Sequence, residues 1–309
     1  MKIGVALPTV GLDHKPDQLL EVAETAERLG FDSVWATDHA LMSYARQSEY
    51  PYGRSGTEMA MTPGIRWLEP LSTLAFVASR TERVRLGTSV LVLPYRNPII
   101  VAAEAATVHL LSGDRLILGV GAGWMREEFA ALGLDAAERG ARLDEYIEVL
   151  RTLWRDDPAS FHGRFVDFDD VVLAMTPRGA EPPVWVGGNS RPALRRALRQ
   201  GDGWHGFEVY AEEMPDIRRT LDELAEEVGR DPAELDLSAT RGMVPPERVG
   251  ETFIPDRRNL GESAAEMVDE LGRYAEAGVG LVLIQVGLLA PQTPGAMEWF
   301  AAEVMSQLG

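Results

Sequence analysis

"SVWATDHA" spans Ser33 to Ala40. Ser33 to Thr37 reads as a buried strand, and it runs straight into two titratable side chains, Asp38 and His39. Strands that stay apolar on both faces belong to parallel sheets covered on both sides. Upstream, KIGVALP (2–8) is such a strand, and PDQLLEVAETAERLGF (16–31) is an amphipathic helix closed by Gly30. Downstream, LEPLSTLAFVASRT (68–81) predicts a helix, VRLGTSVLVLP (84–94) a strand, NPIIVAAEAATVHLLSG (97–113) a helix and RLILGVGAG (115–123) a strand. A longer excursion follows, with a helix over 138–155 and an aromatic strip, FHGRFVDFDD (161–170), that predicts an inserted hairpin. Strands resume at PPVWVGG (182–188), DGWHGFE (202–208), LDLSATRGM (235–243) and GLVLIQVG (280–287), with helical segments after them. About eight strand-then-helix units in one chain of 309 residues predict a (β/α)₈ barrel rather than an open doubly wound sheet. No Pro-, Ser- or Gly-rich linker divides it, so 1–309 is expected to be one domain.

Composition narrows the function. With 45% hydrophobic and 25% charged residues the chain is an ordinary globular protein. It holds no uninterrupted apolar run of about 18 residues and no signal-peptide pattern, so no membrane association is expected. The absence of cysteine removes disulfide and thiolate chemistry and fits the cytoplasm. A net charge of −18 argues against a nucleic-acid partner, because phosphate binding needs a basic surface.

In a barrel of this kind chemistry belongs at the C-terminal ends of the strands. Asp38 and His39 close the second strand; adjacent residues point apart, so one faces the barrel mouth and the other its rim. A mouth histidine is a natural proton donor or acceptor, whereas a turn would need only a capping Asp and a solvated His. Thr88 and Ser89 interrupt the third strand with small polar groups. Gly119, Gly121 and Gly123 lack the spacing of a dinucleotide fingerprint and suit either close approach of a ligand or tight packing. Trp124, Glu127 and Glu128 follow them. At the fifth strand, Gly188, Asn189 and Ser190 precede a helix whose free N–H groups form a ready anion site, with Arg191 or Arg195 close enough to assist. Gly203, Trp204 and His205 lie on the sixth strand, with Arg241 and Gln285 near the seventh and eighth ends. His14, His109 and His162 are less persuasive, and no His/Asp/Glu group has metal-ligand spacing in sequence, so no metal is expected. The unpatterned stretch 41–67 is long enough to be a lid.

FDSVWATDHA, RVRLGTSVLVLPYRNP, LLSGDRLILGVGAGW and PVWVGGNSRPALRRALRQGDGWHG occur here in order. Together they resemble the luciferase-like monooxygenase superfamily, nearest the branch that uses the deazaflavin coenzyme F420 rather than FMN. The likeness runs from Lys2 to about Gly206 and more loosely beyond. It implies that Asp38 and His39 lie beside the deazaflavin ring, with His39 exchanging a proton during hydride transfer. It also implies a cis peptide between Ser89 and Val90 behind the ring, and ring or tail contacts at Val92, Ala122 and Glu127. Gly188, Asn189 and Ser190 match the loop that holds the cofactor phosphate. Trp124 stands where the branch's sugar-phosphate dehydrogenases carry a glutamate, which argues against that substrate class, and nothing explains His109 and Asp114 where relatives more often show Asp and Gly.

The expected function is therefore F420-dependent hydride transfer to or from a small organic substrate, with His39 as the catalytic residue. The rivals are an FMN-dependent monooxygenase served by a separate flavin reductase, and a protein that holds a flavin without turnover. A homodimer is expected from the resemblance alone. Trp35, Trp67, Trp124 and Trp204 either line the mouth, favouring an apolar or planar substrate, or fill the barrel.

Overall fold

The computed structural model describes residues 1–43, 47–52, 64–177, 179–245, 257–285 and 294–308. Of the segment read as a lid, 44–46 and 53–63 lie outside the described residues. Eight parallel strands pair side by side until the last meets the first: β1 (Lys2–Ala6), β2 (Ser33–Ala36), β3 (Arg85–Thr88), β4 (Leu116–Gly121), β5 (Val184–Gly187), β6 (Gly203–Phe207), β7 (Asp236–Gly242) and β8 (Leu281–Gln285). β4 meets β5 with Leu118 opposite Val184, and β8 returns to β1 with Leu281 opposite Lys2. Closure leaves no strand edge open, and the expected (β/α)₈ barrel is what forms.

The surrounding helices are α1 (Pro16–Leu29), α2 (Pro70–Ala78), α3 (Pro98–Leu111), α4 (Arg126–Ala131), α5 (Arg139–Arg155), α6 (Arg191–Gln200), α7 (Met214–Val228), α8 (Ala264–Glu276) and α9 (Pro294–Glu303). α1 shows how local chemistry sets them. Pro16 opens it with a pre-set φ, Leu19, Val22, Ala23 and Ala26 form its buried stripe, and Gly30 closes it in the left-handed region at φ 83°. The connection from β4 to β5 holds α4, α5 and the expected hairpin, Ala159–His162 antiparallel to Asp167–Val171. Among the described residues no helix is long and apolar enough to cross a membrane.

Two aromatic residues and a histidine fill the barrel. Trp35, fully buried, stacks on His205 with ring centres 5.0 Å apart and lies 5.6 Å from Trp185. Glycines on the flanking strands make room for the indole: a Cβ at Gly87 would fall 2.2 Å from its Cε3, and one at Gly4 2.6 Å from its Nε1. Trp204 is also buried, its Nε1 donating to the Gly188 carbonyl at 2.8 Å. Of the four tryptophans read as mouth candidates, Trp35 and Trp204 are therefore packing residues.

One expected element is broken. VRLGTSVLVLP does not run as a single strand: β3 stops at Thr88, the Ser89–Val90 peptide is cis, and Leu91–Val92 pairs afresh with Val120 and Gly121 of β4. The glycines of β4 allow this crossing. A Cβ at Gly119 would lie 2.0 Å from the Thr88 carbonyl oxygen, and one at Gly121 2.6 Å from Cγ2 of Val90. Of the two readings left open for these glycines, tight packing is the one this geometry supports.

Candidate active site

Asp38 and His39 leave β2 in opposite directions. The Asp38 side chain is 1% exposed; its Oδ2 accepts from the Val92 backbone N–H at 2.8 Å and from Arg96 at 2.6 Å, while Oδ1 accepts from Arg96 at 2.9 Å. A two-pronged guanidinium–carboxylate pair is strong and directional. Both Asp38 oxygens are thus taken up by the chain that follows the cis bond, and Val92 is held in place by the same carboxylate.

His39 points the other way. Its Nδ1 lies 3.0 Å from Oε2 of Glu128 in α4, whose side chain is fully buried. The same oxygen accepts from the Tyr95 hydroxyl at 2.8 Å, and Oε1 accepts from the backbone N–H groups of Ala40 at 2.6 Å and Leu41 at 3.1 Å. Burial, reinforced by the Glu128 carboxylate, pushes the Tyr95 phenol far above its ordinary range, so it keeps its proton and donates. Trp67 and Trp124 meet the imidazole edge-on at 5.3 and 6.0 Å.

Glu127, implied as a cofactor contact, faces the segment read as a lid. Its Oε1 accepts from the backbone N–H groups of Gln47 at 2.6 Å and Ser48 at 3.0 Å, and Oε2 from the Ser48 hydroxyl at 2.7 Å. These donors, Gln47 foremost, hold its carboxyl down at about 2. Tyr50 then packs on Trp124 at 5.4 Å, Tyr52 on Phe207 at 4.8 Å, and Arg257 donates to the Tyr52 carbonyl at 3.0 Å. Residues 47–52 therefore run from α4 to the end of β6.

The remaining implied residues sit at neighbouring strand ends. Ser89 directs its hydroxyl into the barrel, 2.9 Å from Nε2 of His205, while Val90 and Ala122 stay partly exposed. His205 also meets Thr240 at 3.0 Å and Ser238 at 2.8 Å. Ser238 donates onward to the Trp204 carbonyl, so it accepts from Nδ1–H, and Nε2 accepts from the two other hydroxyls. Burial alone pulls this imidazole down to about 4, and it stays neutral at physiological pH.

Gly188 adopts φ 118°, where a Cβ would be strained, and Asn189 grips both backbone groups of Phe207 at 2.7 and 3.1 Å. Ser190 is the N-cap of α6, exposed and without a side-chain cap bond, so the first-turn N–H groups have no side-chain partner from it. Arg191 and Arg195 do not turn towards this loop; both pair with Glu227 of α7, and Arg191 also with Glu223.

Sequence reasoning noted Glu128 and His205 near strand ends without giving either a role, and passed over Tyr95 and Arg96. The one available signal was the acidic pair Glu127-Glu128 four residues beyond the mouth glycines, beside the buried Phe129. It also missed a group that only folding assembles: His162, Asp167 and Asp169, exposed on one face of the inserted hairpin, with each His162 nitrogen beside an aspartate.

Comparison with known proteins places these strand ends in a lineage. Residues 1–248 match the family model described as luciferase-like monooxygenase. An uncharacterized protein of Mycobacterium tuberculosis is 34% identical over 302 residues, covering 94% of this chain and 95% of its own length. An F420-dependent glucose-6-phosphate dehydrogenase of Amycolatopsis mediterranei is 35% identical over 214 residues, 66% of this chain and 59% of that protein. In fold, the chain is similar to an F420-dependent secondary alcohol dehydrogenase solved with an F420–acetone adduct, at a TM-score of 0.77 and 21% identity over 99% of this chain and 98% of that one. The chain belongs to the luciferase-like monooxygenase family, an enzyme family whose members matched here include F420-dependent oxidoreductases.

Proposed function

We propose that this protein is an F420-dependent oxidoreductase that moves a hydride between the deazaflavin and a small organic substrate at the barrel mouth. The observation that carries the reading is His39, anchored through Nδ1 to a buried carboxylate and flanked by Trp67 and Trp124. That arrangement leaves Nε2 to serve a reacting oxygen.

The residues present fit such a cofactor. The Ser89 hydroxyl is tied down to His205, so the cis Ser89–Val90 segment offers its partly exposed Val90, beside Ala122, as an apolar backing for a flat ring. The Gly188–Ser190 loop leads into α6, whose first-turn N–H groups suit a phosphate. When bound, the deazaflavin carries the hydride and does not readily activate oxygen. The protein's share is to orient it, exclude water and handle the proton at His39 Nε2. Asp38, by fixing Val92 and Arg96, keeps the ring-backing segment in place. Residues 47–52 cover the mouth, and their Tyr50 and Tyr52 extend the aromatic wall, which favours an apolar or planar substrate.

We read the chain as one domain of a cytoplasmic homodimer. Phe76 of α2 and Ile100 and Leu111 of α3 are 42%, 57% and 68% exposed, an apolar surface that a second copy would cover.

Absorption titration of the purified protein with F420 and with FMN tests the cofactor, with F420 expected to bind more tightly. The His39→Asn variant is expected to bind F420 within a few-fold of wild type while losing on the order of 100-fold or more in turnover. Tighter binding of FMN would overturn the cofactor assignment, and undiminished turnover would remove His39 from the mechanism.

A further inference from the structure

The inserted hairpin carries a set of donor atoms that the barrel mouth does not use. Its strands, Ala159–His162 and Asp167–Val171, pair antiparallel with His162 opposite Asp167 and Phe161 opposite Phe168. Side chains alternate between the two faces of a strand. Phe161 and Phe168 take the face that packs on the core, with ring centres 6.1 Å apart, and His162, Asp167 and Asp169 share the exposed one. We infer that these three side chains form a binding site for a divalent transition ion of the Zn²⁺ class. The scaffold beneath them keeps the register. Glu145 of α5 accepts the backbone N–H groups of Arg164, Phe165 and Val166, which close the turn. The Phe165 ring is met by two guanidinium groups, Arg142 at 4.2 Å and Arg164 at 4.7 Å, and both of these cations pair with Glu138.

The donor chemistry selects the ion. His162 offers a nitrogen and each aspartate an oxygen, all within 4.8 Å of one another. Nε2 of His162 lies 3.1 Å from Oδ1 of Asp169, and Nδ1 lies 3.2 Å from Oδ2 of Asp167. Ligands bound at about 2.0–2.1 Å around a tetrahedral ion stand about 3.3 Å apart, so either pair already spans one edge of that polyhedron. An ion on one nitrogen then needs only a turn of the other aspartate, whose side chain is exposed. Ca²⁺ and Mg²⁺ favour oxygen ligands alone, whereas an imidazole beside carboxylates suits zinc and its neighbours. Three protein ligands leave a fourth position for water or for a donor from another molecule. As a plain ion pair the group contributes little to stability, because all three side chains are well exposed. A proton competes for the same place: the hydrogen bond from Asp167, with the charges of both aspartates, pushes the imidazole pKa up. Binding the ion therefore releases that proton.

Calorimetric titration of the full chain with Zn²⁺, after treatment with a chelator, tests the site. A saturable event in the micromolar range is expected, with proton release, and millimolar Mg²⁺ is expected not to displace the ion. His162→Ala and the double variant Asp167→Asn/Asp169→Asn are each expected to weaken that event by about 10-fold or more, since each removes ligands outright. Their urea midpoints should match wild type, because the altered side chains are exposed and the anchors on α5 are untouched. Binding that persists undiminished in His162→Ala would overturn the inference, as would displacement by Mg²⁺ or the lack of any saturable Zn²⁺ binding. None of these readouts involves F420 or turnover, so their outcome is independent of the function proposed for the mouth.

Discussion

The mouth and the interior of this barrel each hold a histidine, and they are built on opposite electrostatic terms. At the mouth, His39 meets the Glu128 carboxylate at 3.0 Å, one step along the chain from an Asp38–Arg96 pair at 2.6 Å. The carboxylates of Asp38 and Glu128 are each held there by N–H donors, and Asp38 also by the Arg96 guanidinium. Inside the barrel, His205 is stacked on Trp35 and, among the described residues, is hydrogen-bonded by its ring to the hydroxyls of Ser89, Ser238 and Thr240. The charge is refused, and the ring is held in a neutral, fully bonded state. Residue type alone therefore decides nothing about role. A buried carboxylate holds one imidazole at the mouth, and hydroxyl partners make the other a strut under the cis bond.

The largest expected effect comes from breaking the mouth's charge pairing. In Asp38→Ala, Arg96 loses its two-pronged partner and the Val92 N–H its acceptor, in a place where the removed side chain was 1% exposed. Removing one member of a buried pair costs about 3–5 kcal/mol. Urea unfolding should show that loss as a lower midpoint with an unchanged slope. The double variant Asp38→Ala/Arg96→Met sharpens the point, because removing both charges should recover part of the loss. If the single variant is as stable as wild type, the mouth does not depend on its charges.

A smaller effect tests the interior. Burial pulls His205 from its ordinary 6.5 to about 4. Between those values the unfolded chain takes up a proton that the folded chain refuses, so stability is complete above pH 6.5 and declines as pH falls towards 4. The difference amounts to about 3 kcal/mol across the window. His205→Gln removes this component, so its stability should depend less on pH than wild type between pH 7 and 4, although it is lower at neutral pH. Parallel pH curves for the two proteins would mean that His205 is not held neutral by the fold.

The sequence carried the mouth better than it carried the supports beneath it. DSVWATDHA, GTSVLVLP and VGGNS each state a strand end locally, and closing a barrel places all such ends on one face. The mouth positions of His39 and the Gly188–Ser190 loop were legible for that reason, whereas the Ser89–Val90 cis bond was expected from the family resemblance alone, the residues themselves reading as one unbroken strand. The partners were not. Glu128 lies 89 residues from His39 along the chain, Arg96 58 from Asp38, and His205 116 from Ser89. Each contact depends on the path of a helix or the phase of a strand that no local pattern encodes. Asp38 and Glu127 show the other side of this. The resemblance implies a cofactor contact for both, and it says nothing of the partners they take within the chain, Arg96 for Asp38 and Gln47 and Ser48 for Glu127.

The smallest expected effect lies outside both regions and bounds the comparison. Arg191 opens α6, next to the loop proposed to hold the cofactor phosphate, yet its guanidinium reaches Glu223 and Glu227 of α7. All three side chains are well exposed, and exposed pairs of this kind contribute little because water and salt already screen them. Arg191→Ala should therefore leave the thermal midpoint and its salt dependence essentially unchanged. It should also leave F420 affinity unchanged, because the phosphate contacts proposed for this loop come from backbone N–H groups. A clear drop in affinity, measured by the same absorption titration, would show that Arg191 leaves its glutamates when the cofactor binds. The charge pairing of the mouth would then extend further around the barrel than Asp38 and Glu128.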